Sequence, residues 1–364
     1  MRRVALAGTF DVGNYGDLLF PLIAARRLAP LGWEVVPVTP TGRASGFADA
    51  LPPRTLDEVA GCDALLIGGG EIIHAWPARF VAEYADVAEG AYAALWDGAT
   101  RDAVAAGSPV AWNAPGVLAP VPARVREEAL GPALSAAAYV SVRDRASAAH
   151  LAWWGGAVAV VPDTAAEVGR LWSADVLDCA LAGLAARHGF LPGEGLLAVQ
   201  VRPGGWGRAT AAELARLLED FAAAQGLLPV LLSIGPSLGD GATLRALSAA
   251  MAGRHVLLDA PARLCDVAAV LARARGYVGN SLHGYITACA HGVPGAIVAR
   301  PAFRKFEGFA SEVGRGQDVV RDWDGGFARL GATLAAADRP VLGAEVFARL
   351  DAHWNRIAAV IGRA

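Results

Sequence analysis

The sequence predicts an α/β protein: two Rossmann-like β/α/β domains facing each other across a cleft. Three observations carry that expectation. Short apolar runs of strand length alternate with amphipathic runs of helix length. The alternation comes in two blocks, an N-terminal domain at 1–170 and a C-terminal domain at 195–340, with a connector at Gly169–Gly195 between them and a terminal helix in 341–364. The strands repeatedly run into glycine-rich or polar turns, which is where open α/β sheets bind ligands. A chain of 364 residues is also long enough for two domains of ordinary size.

The first block opens with an apolar strand at Arg3–Gly8, a loop at Thr9–Asp17 holding Gly13, Asn14 and Gly16, and a helix at Leu18–Leu28. The glycine spacing is not that of a dinucleotide fingerprint, so the turn is either a plain tight βα turn or a ligand-facing loop with Asp17 at the helix start. A strand at Glu34–Val38, a short helix at Leu56–Ala60 and a buried strand at Ala64–Ile67 follow. The last runs into Gly68-Gly69-Gly70-Glu71, where glycine allows backbone to approach a ligand or a helix closely. Ala82–Ala106 reads as helix, Pro109–Trp112 as strand and Glu127–Ala137 as helix. A strand at Tyr139–Val142 delivers Arg143-Asp144-Arg145 to its carboxyl end, Ser147–Trp153 is helical, and a strand at Val158–Val161 ends at Pro162-Asp163.

After a connector helix at Val176–Arg187, the second block starts with a strand at Leu197–Val201 that ends in Arg202-Pro203-Gly204-Gly205-Trp206. Helices at Ala211–Gln225, Ala242–Ala252 and Leu264–Ala274 alternate with strands at Pro229–Ile234 and His255–Leu258. Tyr277-Val278 ends a strand, Gly279-Asn280-Ser281 is turn chemistry, and Tyr285–Ala290 makes a turn or two of helix. Gly292-Val293-Pro294 stops it before a strand at Ala296–Ala299. This unit puts His283 at a strand's carboxyl end and a helix's amino end, where free N–H groups attract anions. Ala344–Ile361 is a long amphipathic helix.

Composition narrows the function classes. Hydrophobic residues make up 54% and charged residues 18%, so a large core is available. Mean hydropathy is +0.37, inflated by alanine, and no apolar run is long enough to span a membrane. The basic start Met1-Arg2-Arg3 leads into a short strand and a glycine-rich turn, not a signal peptide. Net charge is −3, without a basic stripe for nucleic acid. The four cysteines (Cys62, Cys179, Cys265, Cys289) lie far apart, so neither zinc nor a disulfide framework is expected and a reducing cytoplasm is the simplest compartment. Lys305 is the single lysine against 31 arginines. It is either an accident of composition or a position that arginine cannot fill.

Asn280-Ser281-Leu282-His283-Gly284, then Ala288, Gly292-Val293-Pro294 and Lys305, resembles the C-terminal signature of the polysaccharide pyruvyl transferases. Gly13-Asn14-Tyr15-Gly16-Asp17 matches that family's opening motif, and Gly68-Gly69-Gly70, Val142-Arg143-Asp144 with Ser147, and Pro162-Asp163 follow in its order. The resemblance spans about Ala5 to Lys305. It implies a GT-B-like fold and transfer of the pyruvyl group of phosphoenolpyruvate onto sugar hydroxyls to form a ketal, with no cofactor and no metal. The acceptor would be a sugar or glycan, free or linked to lipid or nucleotide, and a homo-oligomer is compatible with the pattern. Carried over residue by residue, His283, Lys305 and Arg143 are the catalytic candidates. Arg143, Ser281, Gly284, Lys305, Arg304 and Arg202 are donor-binding candidates. Asn14, Gly16, Asp17, Gly69, Gly70, Glu71 and Trp206 face the acceptor. His74 is a second histidine able to line the cleft.

Two departures stand out. The family usually has an acidic residue where Leu18 stands, and an arginine where Ser281 stands. Arg202, Arg300 and Arg304 are candidates to replace the latter. The competing readings are a GT-B glycosyltransferase using a nucleotide sugar, which needs a carboxylate for the ribose in the C-terminal half, where Glu307 is the one close to the motif, and a catalytically silent sugar-binding relative.

Overall fold

A computed structural model describes residues 1–339 and 342–362. The expected division between C-terminal domain and terminal helix, at 340/341, and the chain's last two positions lie outside the described residues.

Two six-stranded, all-parallel sheets form the frame. The first holds β1 (Arg2–Ala7), β2 (Trp33–Thr39), β3 (Arg54–Thr55), β4 (Ala64–Ile67), β5 (Val110–Trp112) and β6 (Ala137–Tyr139), in the order β3-β2-β1-β4-β5-β6. A two-stranded parallel ribbon follows, β7 (Ser141–Val142) with β8 (Ala159–Val160). The second sheet holds β9 (Leu196–Gln200), β10 (Leu228–Leu232), β11 (Val256–Leu258), β12 (Gly276–Gly279), β13 (Gly295–Val298) and β14 (Val319–Val320), in the order β11-β10-β9-β12-β13-β14. Both sheets therefore have the same winding, which reverses beside the first strand of each. The loops after β1 and β4, and those after β9 and β12, open at these reversal points, and open α/β sheets place ligands there.

The central strands are buried on both faces because helices cover both, so β4 and β10, β1 from Val4 to Ala7 and β9 from Leu196 to Val199 read as apolar runs. Each sheet has a core of its own on its outer face. A third cluster is shared: Leu6, Leu19 and Ile23 of the first half pack in one continuous group with Leu232, Leu271 and Ile286 of the second. Polar contacts reinforce this junction. Tyr15 N–H donates to Ile234 O at 2.8 Å, Tyr15 Oη meets Thr287 Oγ1 at 3.0 Å, and Asp49 caps the helix Leu264–Arg273 through Leu264 N at 2.6 Å.

Local structure departs from the sequence expectation in four places. The single helix expected over Ala82–Ala106 is broken: only a 3₁₀ turn at Ala82–Tyr84 precedes Gly90, and the helix proper begins at Ala91. The strand expected at Tyr139–Val142 splits, because Ser141 Oγ binds Trp112 O at 2.5 Å and Ala114 N at 3.0 Å and draws the chain off the sheet into the ribbon. The helix after β12 starts earlier, at Leu282, because Ser281 caps it. Helices at Arg304–Glu312 and Trp323–Ala335, with β14 between them, add to the expected elements. The terminal helix Ala344–Ile361 returns to the first half. It buries Val346, Leu350, Trp354, Ile357 and Ile361 on one stripe, and Trp354 Nε1 donates to Glu167 at 2.7 Å.

Candidate functional site

Where the two sheets' carboxyl ends meet, a cleft of about 400 Å³ opens between them. Its first wall starts at the loop after β1. Asn14 Nδ2 (2.8 Å) and Thr9 Oγ1 (3.1 Å) both donate to Asp17 Oδ2, which fixes the carboxylate at the cleft edge. After β4 the chain passes through Gly68, Gly69 and Gly70, all with positive φ. A Cβ on Gly69 would sit 2.4 Å from the Phe20 ring, so only glycine lets the loop cross that helix. The loop delivers Glu71, whose carboxylate lies 3.4 Å from Arg143 Nη2 and 3.2 Å from Lys305 Nζ. Burial alone would raise the Glu71 carboxyl. The Lys305 and Arg143 charges outweigh it and hold the group below the usual range.

Arg143 leaves the β7–β8 ribbon and is 4% exposed. A Cβ on Gly116 would lie 2.7 Å from its Nε, so glycine there makes the room it occupies. Around it stand Glu71 and Asp163 at 3.4 Å and Asp144 at 3.8 Å. Nε and Nη2 have no hydrogen-bond partner among the described residues. Burial works against this cation, and the surrounding carboxylates more than offset it, so it stays charged. Arg143 is thus neither a surface pair nor a bare cation. Asp144 also caps the helix Arg145–Leu151 through Ser147 N at 2.7 Å.

Asp163 accepts the Ala165 N–H at 3.0 Å and lies 3.8 Å from His283 Nε2. That last separation is too long for a hydrogen bond, and Nε2 has no hydrogen-bond partner among the described residues. Burial pushes the Asp163 carboxyl up, but His283, Arg143 and the Ala165 N–H together hold it low. The His283 ring meets Phe20 edge-on at 5.6 Å, and a Cβ on Gly16 would fall 1.9 Å from its Nδ1. Helix Tyr15–Leu28 therefore approaches the imidazole through glycine.

The second wall is less expected. Ser281 Oγ accepts from His283 N (3.0 Å) and Gly284 N (3.2 Å), so the helix N-terminus that should attract an anion is largely filled by its own cap. Arg202 has no carboxylate within ion-pair distance among the described residues. Its guanidinium lies 5.0 Å from the Phe303 ring centre, and Lys305 Nζ lies 4.9 Å from the same ring. Burial lowers the Arg202 pKa, and Asp240 only partly offsets it. Asp240 Oδ2 accepts from Gln200 Nε2 at 2.8 Å and Gly235 N at 2.9 Å, and burial raises its carboxyl.

Of the residues expected from sequence, Asn14, Asp17, Gly70, Glu71, Arg143, Arg202, Ser281, His283 and Lys305 line this one cleft, and His74 joins them. Gly16, Gly69 and Gly284 do not line it. They are packing glycines behind it, Gly284 against Ile234 and Tyr277. Trp206 packs on the second domain's own core, and exposed Arg304 points to His150 at 3.5 Å. Gln200, Asp240 and Phe303 also line the cleft, and no sequence motif marks them: Gln200 is the last residue of β9, Asp240 opens the helix that follows β10, and Phe303 lies in the turn after β13. No cluster of His, Cys, Asp and Glu able to hold a metal ion occurs among the described residues.

A family model described as polysaccharide pyruvyl transferase matches residues 14–300. No curated protein sequence is similar enough to match. Among solved structures, the chain is similar to UDP-GlcNAc 2-epimerase from Methanocaldococcus jannaschii (TM-score 0.62, 11% identity, 100% of both chains). The same enzyme in complex with UDP-GlcNAc and UDP gives a TM-score of 0.58 at 10% identity over 100% of both chains. UDP-N-acetylglucosamine 2-epimerase from Rickettsia bellii gives 0.57 at 12% identity, again over 100% of both. At such identities the likeness shows the fold, a GT-B-like pair of parallel-sheet domains.

Proposed function

The chain belongs to the polysaccharide pyruvyl transferase family, and on that premise we propose that it moves the pyruvyl group of phosphoenolpyruvate onto two hydroxyls of a sugar or glycan. Phosphoenolpyruvate and the diol give a cyclic ketal and inorganic phosphate. Carbon 2 of the donor gains two bonds to acceptor oxygens and loses its bond to the phosphate oxygen and its π bond to the methylene carbon. The methylene carbon takes one proton and becomes a methyl group. Of the two hydroxyl protons released, one balances that uptake and the other leaves with phosphate. The reaction needs cations for a phosphate and a carboxylate, a proton donor to carbon, and acceptors for the hydroxyl protons.

In this reading His283 carries the proton, with Asp163 as the nearest carboxylate to its Nε2. Lys305 and Arg202, one on each flank of Phe303, take the donor's anionic groups. Glu71 spans Lys305 and Arg143 in the free protein, so the donor displaces it from Lys305. Asn14, Asp17 and the displaced Glu71 then face acceptor hydroxyls. The four cysteines are free thiols, which fits a reducing cytoplasm. Among the described residues no helix is long and apolar enough to cross a membrane.

The observation that carries the reading is the convergence of His283, Lys305, Arg202 and Arg143 on one cleft from separate elements of both sheets. Asp240 favours the nucleotide-sugar alternative, since it puts a carboxylate in the C-terminal half of the cleft. Thermal unfolding separates the two. Millimolar phosphoenolpyruvate, with and without a crude sugar mixture, should raise the melting temperature, and UDP- or GDP-sugars should not. A melting temperature raised only by a nucleotide sugar overturns the donor assignment.

A further inference from the structure

We infer that the loop between β4 and the helix beginning at Ala91 carries an aromatic platform, Trp76 and Phe80 backed by His74 and Tyr92, on which a pyranose ring of the acceptor stacks. This rests on the transfer reading above and names the acceptor side of the same site. From Gly68 to Gly90 the chain has no regular structure beyond a single β-bridge of Ile73 to Val117 and the 3₁₀ turn at Ala82–Tyr84. Loops of this length in compact domains usually serve function. This one is anchored: Ala78, Val81 and Tyr84 are buried, Tyr84 Oη donates to Asp11, and Ala78 N donates to Ala88 O at 2.8 Å. Against those anchors Trp76 and Phe80 are 55% and 68% exposed, more than any other aromatic side chain among the described residues. Their exposure therefore belongs to a built surface.

The rings form a contiguous cluster, with His74 tilted by 48° to Tyr92 and by 44° to Trp76. Phe80 and Tyr92 lie nearly parallel (21°) at 6.5 Å, His74 and Tyr92 at 4.0 Å, and His74 and Trp76 at 5.7 Å. Phe80, Tyr92 and His74 line the cleft wall and run into its charged end at Glu71 and Asp17. Trp76 N–H donates to His74 Nδ1 at 3.2 Å, which leaves Nε2–H as the donor of a neutral ring. A three-carbon donor fills only part of this cleft and has no use for an apolar wall. A pyranose does: its C–H face packs on aromatic carbon while its hydroxyl edge reaches carboxylates and an imidazole N–H. The two hydroxyls to be bridged lie at the charged end, and the rest of the glycan runs outward over Phe80 and Trp76. Arg79 pairs with Glu89 at 2.6 Å, and Glu83 and Asp86 leave the loop net acidic, which argues against an anionic lipid surface as the occupant.

Saturation-transfer NMR with the methyl glycosides of galactose, glucose, mannose and N-acetylglucosamine tests the inference. At least one sugar should show transfer to its ring C–H protons. The signal should fall about fivefold or more in Trp76→Leu/Phe80→Leu, which keeps apolar volume but removes the aromatic faces, and survive in Trp76→Phe. Melting temperature checks that the double variant is folded, and both sites are exposed enough for it to be so. No transfer with any of the four sugars, or transfer that persists in the double variant, overturns the platform. So does anionic-vesicle binding by the wild type that the double variant loses, since it makes the surface a membrane contact. Phosphoenolpyruvate stabilisation is measured alongside and should be equal in wild type and double variant. If the donor has no effect on the wild type while the sugar signal behaves as expected, the donor reading fails and the platform stands.

Discussion

At the scale of single residues, Lys305 is the sharpest case. It sits in the first turn of the helix Arg304–Glu312, half-buried, with its ammonium 3.2 Å from Glu71 and 4.9 Å from the Phe303 ring. An ammonium is a compact charge with rotatable donors, whereas guanidinium is a wide planar fork. Lys305→Arg should change stability by no more than about 0.5 kcal/mol, as at a tolerant site, yet sharply weaken donor binding or turnover. Unchanged kinetics in that variant would make the lone lysine an accident of composition. Arg143 teaches the opposite lesson. Sequence motif and structure both put it at the site, but three carboxylates surround it. Its charge helps to keep Glu71 and Asp163 ionised in a buried place, so it is a cation already shared.

At the scale of elements, what counts is how helices approach the turn at His283. Helix Tyr15–Leu28 belongs to the first sheet, yet its first turn rests on an imidazole from the second. Gly16→Ala pushes a methyl group to 1.9 Å from His283 Nδ1, so the ring has to move. The variant should fold and lose turnover on the scale of His283→Gln, on the order of 10²-fold for a misplaced or missing proton carrier. Near wild-type turnover in both variants would make His283 structural and bring His74 forward. Ser281 is legible at this scale only. As a residue it stands where the family has arginine. As part of an element it is the cap that starts the helix at Leu282 and uses the N–H groups of His283 and Gly284. Arg202, delivered by the turn after β9, is the cation on that wall.

At the scale of the molecule, the junction between the two halves is apolar and continuous, with the terminal helix strapped across the first. His353 on that helix is 1% exposed and lies between Asn113 Oδ1 (2.9 Å) and Tyr139 Oη (3.0 Å). Burial lowers its pKa to about 3, and lowers those of His74 and His291 to about 4. In the unfolded chain each titrates near 6.5, roughly the ordinary histidine value. Between these limits the unfolded state holds more protons, so stability rises with pH and is lost as pH falls below about 6.5. Each histidine contributes a slope of about 1.4 kcal/mol per pH unit. Glu71 and Asp163, held low, keep their contribution until pH falls below about 4, the unfolded carboxylate value. Urea unfolding between pH 7.5 and 4.5 should show this decline, and His353→Gln should lose stability at pH 7.5 but decline less steeply. An equal slope in the variant would remove His353 from the account.

The sequence by itself determined the fold class, because apolar runs of strand length and amphipathic runs of helix length record burial directly. It also determined much of the cleft, since residues just past a strand's carboxyl end must face the ligand side of a parallel sheet. Asn14, Glu71, Arg143, His283 and Lys305 were legible because they combine a turn on that side of the sheet with the motifs of the family resemblance. Only the tertiary structure decided what those side chains meet, because every decisive pair joins distant segments: Glu71 with Lys305, Asp163 with His283, Gly16 beneath the imidazole. It also decided which expected residues stand outside the cleft. Trp206 and Arg304 follow strands as the others do, but their side chains turn to a core and to solvent. The stretch from Ala82 to Gly90 was read as the start of a helix because its alanines and scattered aromatics mimic helical spacing, and no expectation covered Trp76 and Phe80 just before it. What holds this loop open is the packing of Ala78, Val81 and Tyr84, which no local pattern reports.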